Sequence, residues 1–328
     1  MRLLRVELSR LRSRRAVVLL GLAAVLLAAV MTVLTAYQTR PLTAADRQDA
    51  AAQADLASRS SVLQSDLAEC VKDPESYFGP GGTARDCREA MVDDVSSFYP
   101  RSALDLGTVL DAPRLTDATG FSLALALAVL MIVAGATFAG GDWTSGSVSN
   151  QLLFESRRTR VWLAKAGAIA IASGLLTLLA VGGFWAAVYL LADARGISVP
   201  GADVSHVLWH VVRAIALCMA AAVGGFALTM MFRNTVATLA LVFIYSVVGE
   251  IAVGVVPVEG AGRVSMSNNV FGWLATRATY VDSSIDCSGA TGCSAVQSMS
   301  HLEAGLFLGA LLLFASALSV AVFRRADV

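Results

Sequence analysis

Six stretches of this chain run for about 20 residues or more with at most one charged side chain each, which is the length an α-helix needs to cross a bilayer. They are Ala16–Ala36, Gly120–Ala139, Trp162–Leu191, His206–Phe232, Val236–Val256 and His301–Phe323. In hydrocarbon every backbone N–H and C=O must be satisfied inside its own segment, so a chain of this kind folds as a bundle of helices. Composition agrees: 56% of the 328 residues are hydrophobic, 15% are charged and the mean hydropathy is +0.66. A soluble domain carries roughly a quarter charged residues. The formal net charge is zero, but the charges are sorted into the intervals between the apolar blocks, so the total is uninformative. The expected fold is an all-α integral membrane protein with six transmembrane helices.

Arginine and lysine fix the expected orientation. Thirteen of the 25 lie in Met1–Arg15, in Gly140–Val161 with Lys165 just beyond it, at Arg233, and in the tail Arg324–Val328. The alternate intervals, together with Arg213 in the outer part of the fourth stretch, hold the other twelve in a far longer length of chain, so the positive-inside bias puts both termini in the cytoplasm. Met1–Arg15 sets Leu4, Leu8 and Leu11 on one helical face among six arginines. That pattern suits a helix lying on the inner membrane surface with its arginine stems reaching lipid phosphates. Ala16–Ala36 is longer than the apolar core of a secretory signal, and no small-residue cleavage site comes after it, so it is expected to stay as the first span.

Tyr37–Thr119 forms a small extracytoplasmic domain between the first two spans, with 14 acidic and 8 basic residues. Ala44–Glu69 has helix-forming composition, and Pro74, Gly79–Gly82, Pro100 and Pro113 break the remainder of the domain into short pieces. Pro257–Ser300 is a second outer segment. Within it, Asn268–Leu274 is apolar enough to lie at, or re-enter, the outer interface. Four of the five cysteines fall in these two segments, as Cys70, Cys87, Cys287 and Cys293. Local pairs Cys70–Cys87 and Cys287–Cys293 are the economical arrangement and imply an oxidising exterior; free or cross-paired thiols are the alternatives. Cys218, inside the fourth span, suits packing.

Catalytic motifs are missing. There is no G-x-x-x-x-G-K-[ST] phosphate cradle, no H-E-x-x-H and no G-x-S-x-G elbow. His206 and His210 stand one helical turn apart, yet at the edge of a span they read as interfacial polar residues before they read as metal ligands. No basic tail points to nucleic acid. The chain is therefore not expected to be an enzyme, to hold a metal or cofactor, or to bind nucleic acid.

The interval Gly140–Val161, GGDWTSGSVSNQLLFESRRTRV, is the largest internal loop. Its small residues, Gly146-Ser147, the pair Leu152-Leu153, and then Glu155-Ser156-Arg157-Arg158-Thr159-Arg160-Val161 with Lys165, resemble the corresponding loop of ABC-2 type transporter permeases. Ser156 stands where many members have proline, and Asp142-Trp143 stands near their acidic–aromatic pair. The basic amphipathic start Glu7-Leu8-Ser9-Arg10-Leu11-Arg12 and the six-span layout are also similar to theirs. The resemblance implies two permease subunits, identical or different, working with two copies of a separate cytoplasmic ATP-binding subunit that holds ATP and Mg. It also implies that the loop forms a coupling helix seated in a groove of the ATPase. In that role Asp142, Glu155, Arg157, Arg158 and Arg160 set register by charge, Trp143 and Phe154 act as anchors, and Gly146 belongs to the same motif. The outer segment between the last two spans would lie near the exit side.

Glu250 and Arg213 are ionisable residues in the outer parts of the fifth and fourth spans. A carboxylate there is costly in lipid and must face protein or water. Arg213 is its expected partner. The pair lines a substrate path, or it is an interhelical ion pair or a protonated, hydrogen-bonded glutamate with a packing role. Glycines in the spans, such as Gly135, Gly182-Gly183 and Gly224-Gly225, suit close helix packing. These observations support three functions. The leading one is the permease of an ATP-driven exporter in a bacterial cell membrane. The others are a membrane sensor or scaffold with an external ligand-binding domain, and an integral membrane enzyme acting on lipid.

Overall fold

The computed structural model describes residues 2–39, 59–78, 82–90, 116–199, 201–255, 260–275, 278–281 and 296–325, with isolated positions between 45 and 56. Cys287 and Cys293, and with them the expected second disulfide, lie outside the described residues. Six helices are long and apolar enough to cross a membrane: Arg15–Gln38, Ala118–Thr144, Arg158–Ala194, Gly201–Phe232, Thr235–Val253 and His301–Arg325. These are the six expected spans. The third runs well past the length a bilayer requires, because the chain passes through a wide π turn at Leu178–Gly182 and continues as the helix Gly183–Ala194. A similar turn at Tyr245–Gly249 interrupts the fifth. Such turns leave the i→i−4 ladder locally open.

The chain divides into two compact units, one made of Met1–Val33, Ala112–Leu191 and Ser198–Val328, the other of Leu34–Asp111 and Ala192–Ile197. In the first, the fourth span is the centre, with the second, third and sixth packed around it. Its closest partner is the second span, and small residues make that approach possible. A Cβ on Gly135 would run into the Ala222 carbonyl, and one on Gly225 would run into the Ile132 carbonyl. Lipid gives no hydrophobic drive between helices, so this backbone-to-backbone packing is what holds them together. Larger rings fill the space beside it, with Phe226 at 5.3 Å from Trp162 and 6.3 Å from Phe138. A short polar relay ties three spans: Trp162 Nε1 donates to Ser319 Oγ at 3.1 Å, and Ser319 donates to the Ala227 carbonyl at 2.6 Å. The first, fifth and sixth spans keep most of their apolar side chains exposed, as helices facing lipid or another chain do.

At one end of this unit the start of the first span, the end of the second, the start of the third and the end of the sixth meet. Arg14 contacts Asp142, Glu7 contacts Lys165, and Arg158 reaches the Phe323 carbonyl. At the other end a short helix, Met266–Leu274, packs on the spans. Phe271 meets Phe121 edge-on at 5.4 Å, and His301 Nδ1 donates to the Gly272 carbonyl at 2.7 Å. Beside it lie two short antiparallel strands that the sequence did not announce, β1 (Ala278–Val281) and β2 (Val296–Met299). Ala278, Tyr280, Met299 and Ala304 form a small core there, covered by Phe271 and Trp273.

In the second unit the helices Ser61–Lys72 and Pro74–Phe78 are succeeded by a helix over 84–90. Cys70 and Cys87 are joined by a disulfide, as the local pairing expected. Thr83 and Asp86 form a reciprocal N-terminal box: the Thr83 N–H donates to Asp86 Oδ2 at 2.7 Å and its hydroxyl does so at 2.8 Å. These bonds favour the charged form and hold the Asp86 carboxyl below its usual pKa. Arg195 donates to the carbonyls of Ala36 and Thr39, closing the C-terminal end of the helix that starts at Arg15.

Candidate functional site

The second span ends where Ser145 turns its N–H back to the Gly141 carbonyl. Gly146 then takes φ +65°, a left-handed turn that a residue with a Cβ resists. The chain restarts at once as the helix Ser147–Phe154 and stops again at the extended Glu155. The Arg157 N–H donates to Glu155 Oε1 at 3.2 Å, and the third span begins at Arg158. The expected loop is therefore a helix of two turns held between two tight bends.

Its base is a buried ionic network. Lys165 Nζ lies 3.0 Å from Glu7 Oε2 and 2.6 Å from Asp142 Oδ2, and all three side chains are shut off from solvent. The Arg14 guanidinium takes the other Asp142 oxygen and donates to the Phe138 carbonyl at 3.1 Å. Gln151 Nε2 donates to Glu7 Oε1 at 2.6 Å, and Arg10 stands 3.5 Å from the same oxygen. The Phe138 ring is close to two of the cations, with Arg14 at 5.3 Å and Lys165 at 5.5 Å from its centroid. Every carboxylate oxygen thus has a charged or amide donor. A buried ion pair with good geometry and filled hydrogen-bonding capacity can be sustained, whereas one with a member removed is strongly destabilising. The network joins the N-terminal helix Arg2–Ser13, the end of the second span, the short helix and the start of the third span.

The opposite edge of the short helix is apolar and open. Leu153 is 82% exposed and Phe154 is 93% exposed, which is unusual for a leucine–phenylalanine pair on a rigid helix. Asp142 and Trp143, expected among the outward contacts, are engaged within the chain. Asp142 is the acid between Arg14 and Lys165. Trp143 meets Phe323 edge-on at 6.3 Å and carries the Arg233 guanidinium 4.9 Å above its ring. Gly146 makes the bend. Phe154 is at the tip, Glu155 is half-buried just after it, and Arg157 and Arg160 are exposed. Arg158 turns the other way and donates to the Phe323 and Arg324 carbonyls at 3.3 and 3.5 Å.

Four members of the network escape a reading of the sequence alone: Glu7, Arg10, Arg14 and Gln151. Glu7 leaves a trace, because it lies on the same helical face as Leu4, Leu8 and Leu11. An acid on an apolar face, and a lysine four residues inside an apolar run, are two halves of a buried pair.

At the other end of the unit, Glu250 is held by the turn before Met266–Leu274. Its carboxylate accepts from the Ser265 hydroxyl at 2.7 Å, the Ser267 hydroxyl at 2.6 Å and the Ser267 N–H at 2.9 Å. Among the described residues no ion pair joins it to Arg213. Arg213 lies with its guanidinium 3.4 Å from His301 Nδ1, while its carbonyl accepts from Trp273 Nε1 at 2.9 Å. The physical reason is the helix N-terminus, whose free N–H groups and dipole attract a carboxylate as an arginine does. His206 is exposed and His210 is buried against the Leu274 carbonyl, so the two do not converge. Among the described residues no group of three His, Cys, Asp or Glu side chains is arranged to hold a metal.

No family model, no curated protein and no solved structure matches this chain.

Proposed function

We propose that the chain is the membrane-spanning permease of an ATP-driven exporter of the ABC-2 type. Its N-terminus, short helix Ser147–Phe154, Arg233 and C-terminus face the cytoplasm, and the unit containing Cys70–Cys87 lies outside a bacterial cell membrane. The observation that carries the proposal is the exposed Leu153–Phe154 edge on a helix whose other side is tied through Gln151 to a buried ionic network. An apolar edge on a rigid mount suits a groove in a soluble partner. In this reading the partner is an ATP-binding subunit, present in two copies and holding ATP and Mg, with a second permease subunit completing the assembly.

The residues then divide the labour. Leu153 and Phe154 enter the partner's groove, with Glu155 at its rim. Asp142, Lys165, Glu7 and Trp143 stand behind them as positioning residues. Movement of the partner pushes the short helix, and because Gln151 joins it to Glu7, which meets Lys165 of the third span and through it Asp142 of the second, the push reaches both. A soft mount would absorb it. Export rests on the family resemblance.

The test is purification of the tagged chain from its own membranes in mild detergent, with a nucleotide-hydrolysis assay on the product. ATPase activity residing in a separate copurifying subunit is expected. Hydrolysis by the isolated chain, or its recovery with a histidine kinase in place of an ATPase, contradicts the proposal.

A further inference from the structure

A hollow of about 420 Å³ opens between the start of the third span and the end of the sixth, lined by Ser156, Arg157, Arg158, Thr159, Arg160 and Arg324. Four of those six side chains are guanidinium groups. Among the described residues Arg157, Arg160 and Arg324 form no ion pair. For Arg157 and Arg160 the nearest acid in sequence is Glu155, whose Oε1 accepts from the Arg157 N–H; Asp327, the nearest to Arg324, lies outside the described residues. Arg158 braces the rim by donating to the Phe323 and Arg324 carbonyls. Like charges gathered this closely repel, and an anion between them removes that repulsion. Guanidinium forks match phosphate oxygens in pairs, and the hydroxyls of Ser156 and Thr159 add two further donors.

The position of the hollow narrows the choice of anion. It lies where two helices apolar enough to cross a bilayer begin and end. One turn beyond Arg160 on the same helix, Leu163 is 57% exposed, and on the sixth span Leu318 is 42% exposed. A ligand with a phosphate at one end and acyl chains at the other uses both features. We infer that this hollow is a binding site for the headgroup of an anionic phospholipid, with the acyl chains lying along the third and sixth spans. The inference does not depend on the export function.

The full chain is reconstituted into phosphatidylcholine bilayers containing spin-labelled phosphatidylglycerol or spin-labelled phosphatidylcholine, and the motionally restricted fraction of each is measured. The wild type is expected to prefer the anionic lipid by at least about threefold, given what one arginine contributes near a charged surface. R157Q/R160Q/R324Q changes three exposed side chains and is expected to bring the ratio close to one, with unchanged thermal unfolding. A wild type without preference overturns the assignment, as does a triple variant that keeps it. A photoreactive phosphatidylglycerol bound to the wild type should label peptides containing Arg157–Arg160 or Arg324; labelling confined to other peptides contradicts the site. Water-soluble glycerophosphate is the last arm. If it displaces the labelled lipid at millimolar concentration, the hollow recognises free phosphate and the lipid assignment fails.

Discussion

Lys165 carries its charge to a fully buried position, and it stays there because Glu7 and Asp142 answer it from two different elements. Replacing it with methionine keeps the volume and leaves two carboxylates facing each other. The expected loss is about 3–5 kcal/mol, read as a large fall in the unfolding temperature of the detergent-purified protein. E7Q/D142N/K165M removes the charges together and is expected to recover part of that loss; a triple variant no better than K165M contradicts the ionic account. Glu250 differs in kind, since its partners are two serines and a backbone N–H. E250Q keeps much of that pattern, so a loss of about 1 kcal/mol is expected, the size of a weakened helix cap. In the unit with the disulfide, the folded pKa of Asp86 lies below its unfolded value. Its stabilising contribution is therefore present above the unfolded carboxylate pKa and fades as pH falls through the folded one. T83A should move the Asp86 titration, monitored by NMR, back up toward the ordinary carboxylate range.

Two glycines show how backbone geometry shapes an element. Gly146 has open space around its Cα, so only its left-handed φ of +65° resists a side chain. G146A is expected to cost about 1–2 kcal/mol in local strain and to tilt or fray the helix Ser147–Phe154, visible as faster amide exchange in 147–154. Exchange like that of the wild type would show that the bend does not set the helix. Gly225 is the opposite case, because a Cβ there meets the Ile132 backbone of the second span. G225L forces the two central helices apart, and the variant should lose its thermal transition or aggregate. A stable, well-folded G225L contradicts the packing described. The spans were legible in the sequence because a bilayer imposes length and polarity directly. The helix Ser147–Phe154 was legible only through family resemblance: it is short and lacks a side-chain cap. The strands β1 and β2 were not legible at all. They are short, and with residues 282–295 between them their patterns stand too far apart in sequence to read as a hairpin.

At the scale of the whole molecule, a six-helix membrane bundle was legible in the apolar blocks, and the Cys70–Cys87 bond in where the cysteines sit. The candidate site was half legible. Arginine counts and the Leu-Leu pair marked the loop between the second and third spans. They could not show that Asp142 turns inward, since its partners Arg14 and Lys165 are 128 and 23 residues away in sequence. Burial of a charge is decided by tertiary partners, and no local pattern records them. What reaches outward is the leucine–phenylalanine edge. The most direct measurement compares ATP turnover of the proposed ATP-binding subunit alone, in complex with the wild-type chain, and in complex with L153A/F154A. Turnover above that of the free subunit is expected with the wild type. With the double variant most of that gain should vanish while its unfolding temperature stays within a few degrees of wild type, since both side chains are exposed. A double variant that stimulates turnover as fully as the wild type would contradict the claim that this edge is where the energy enters.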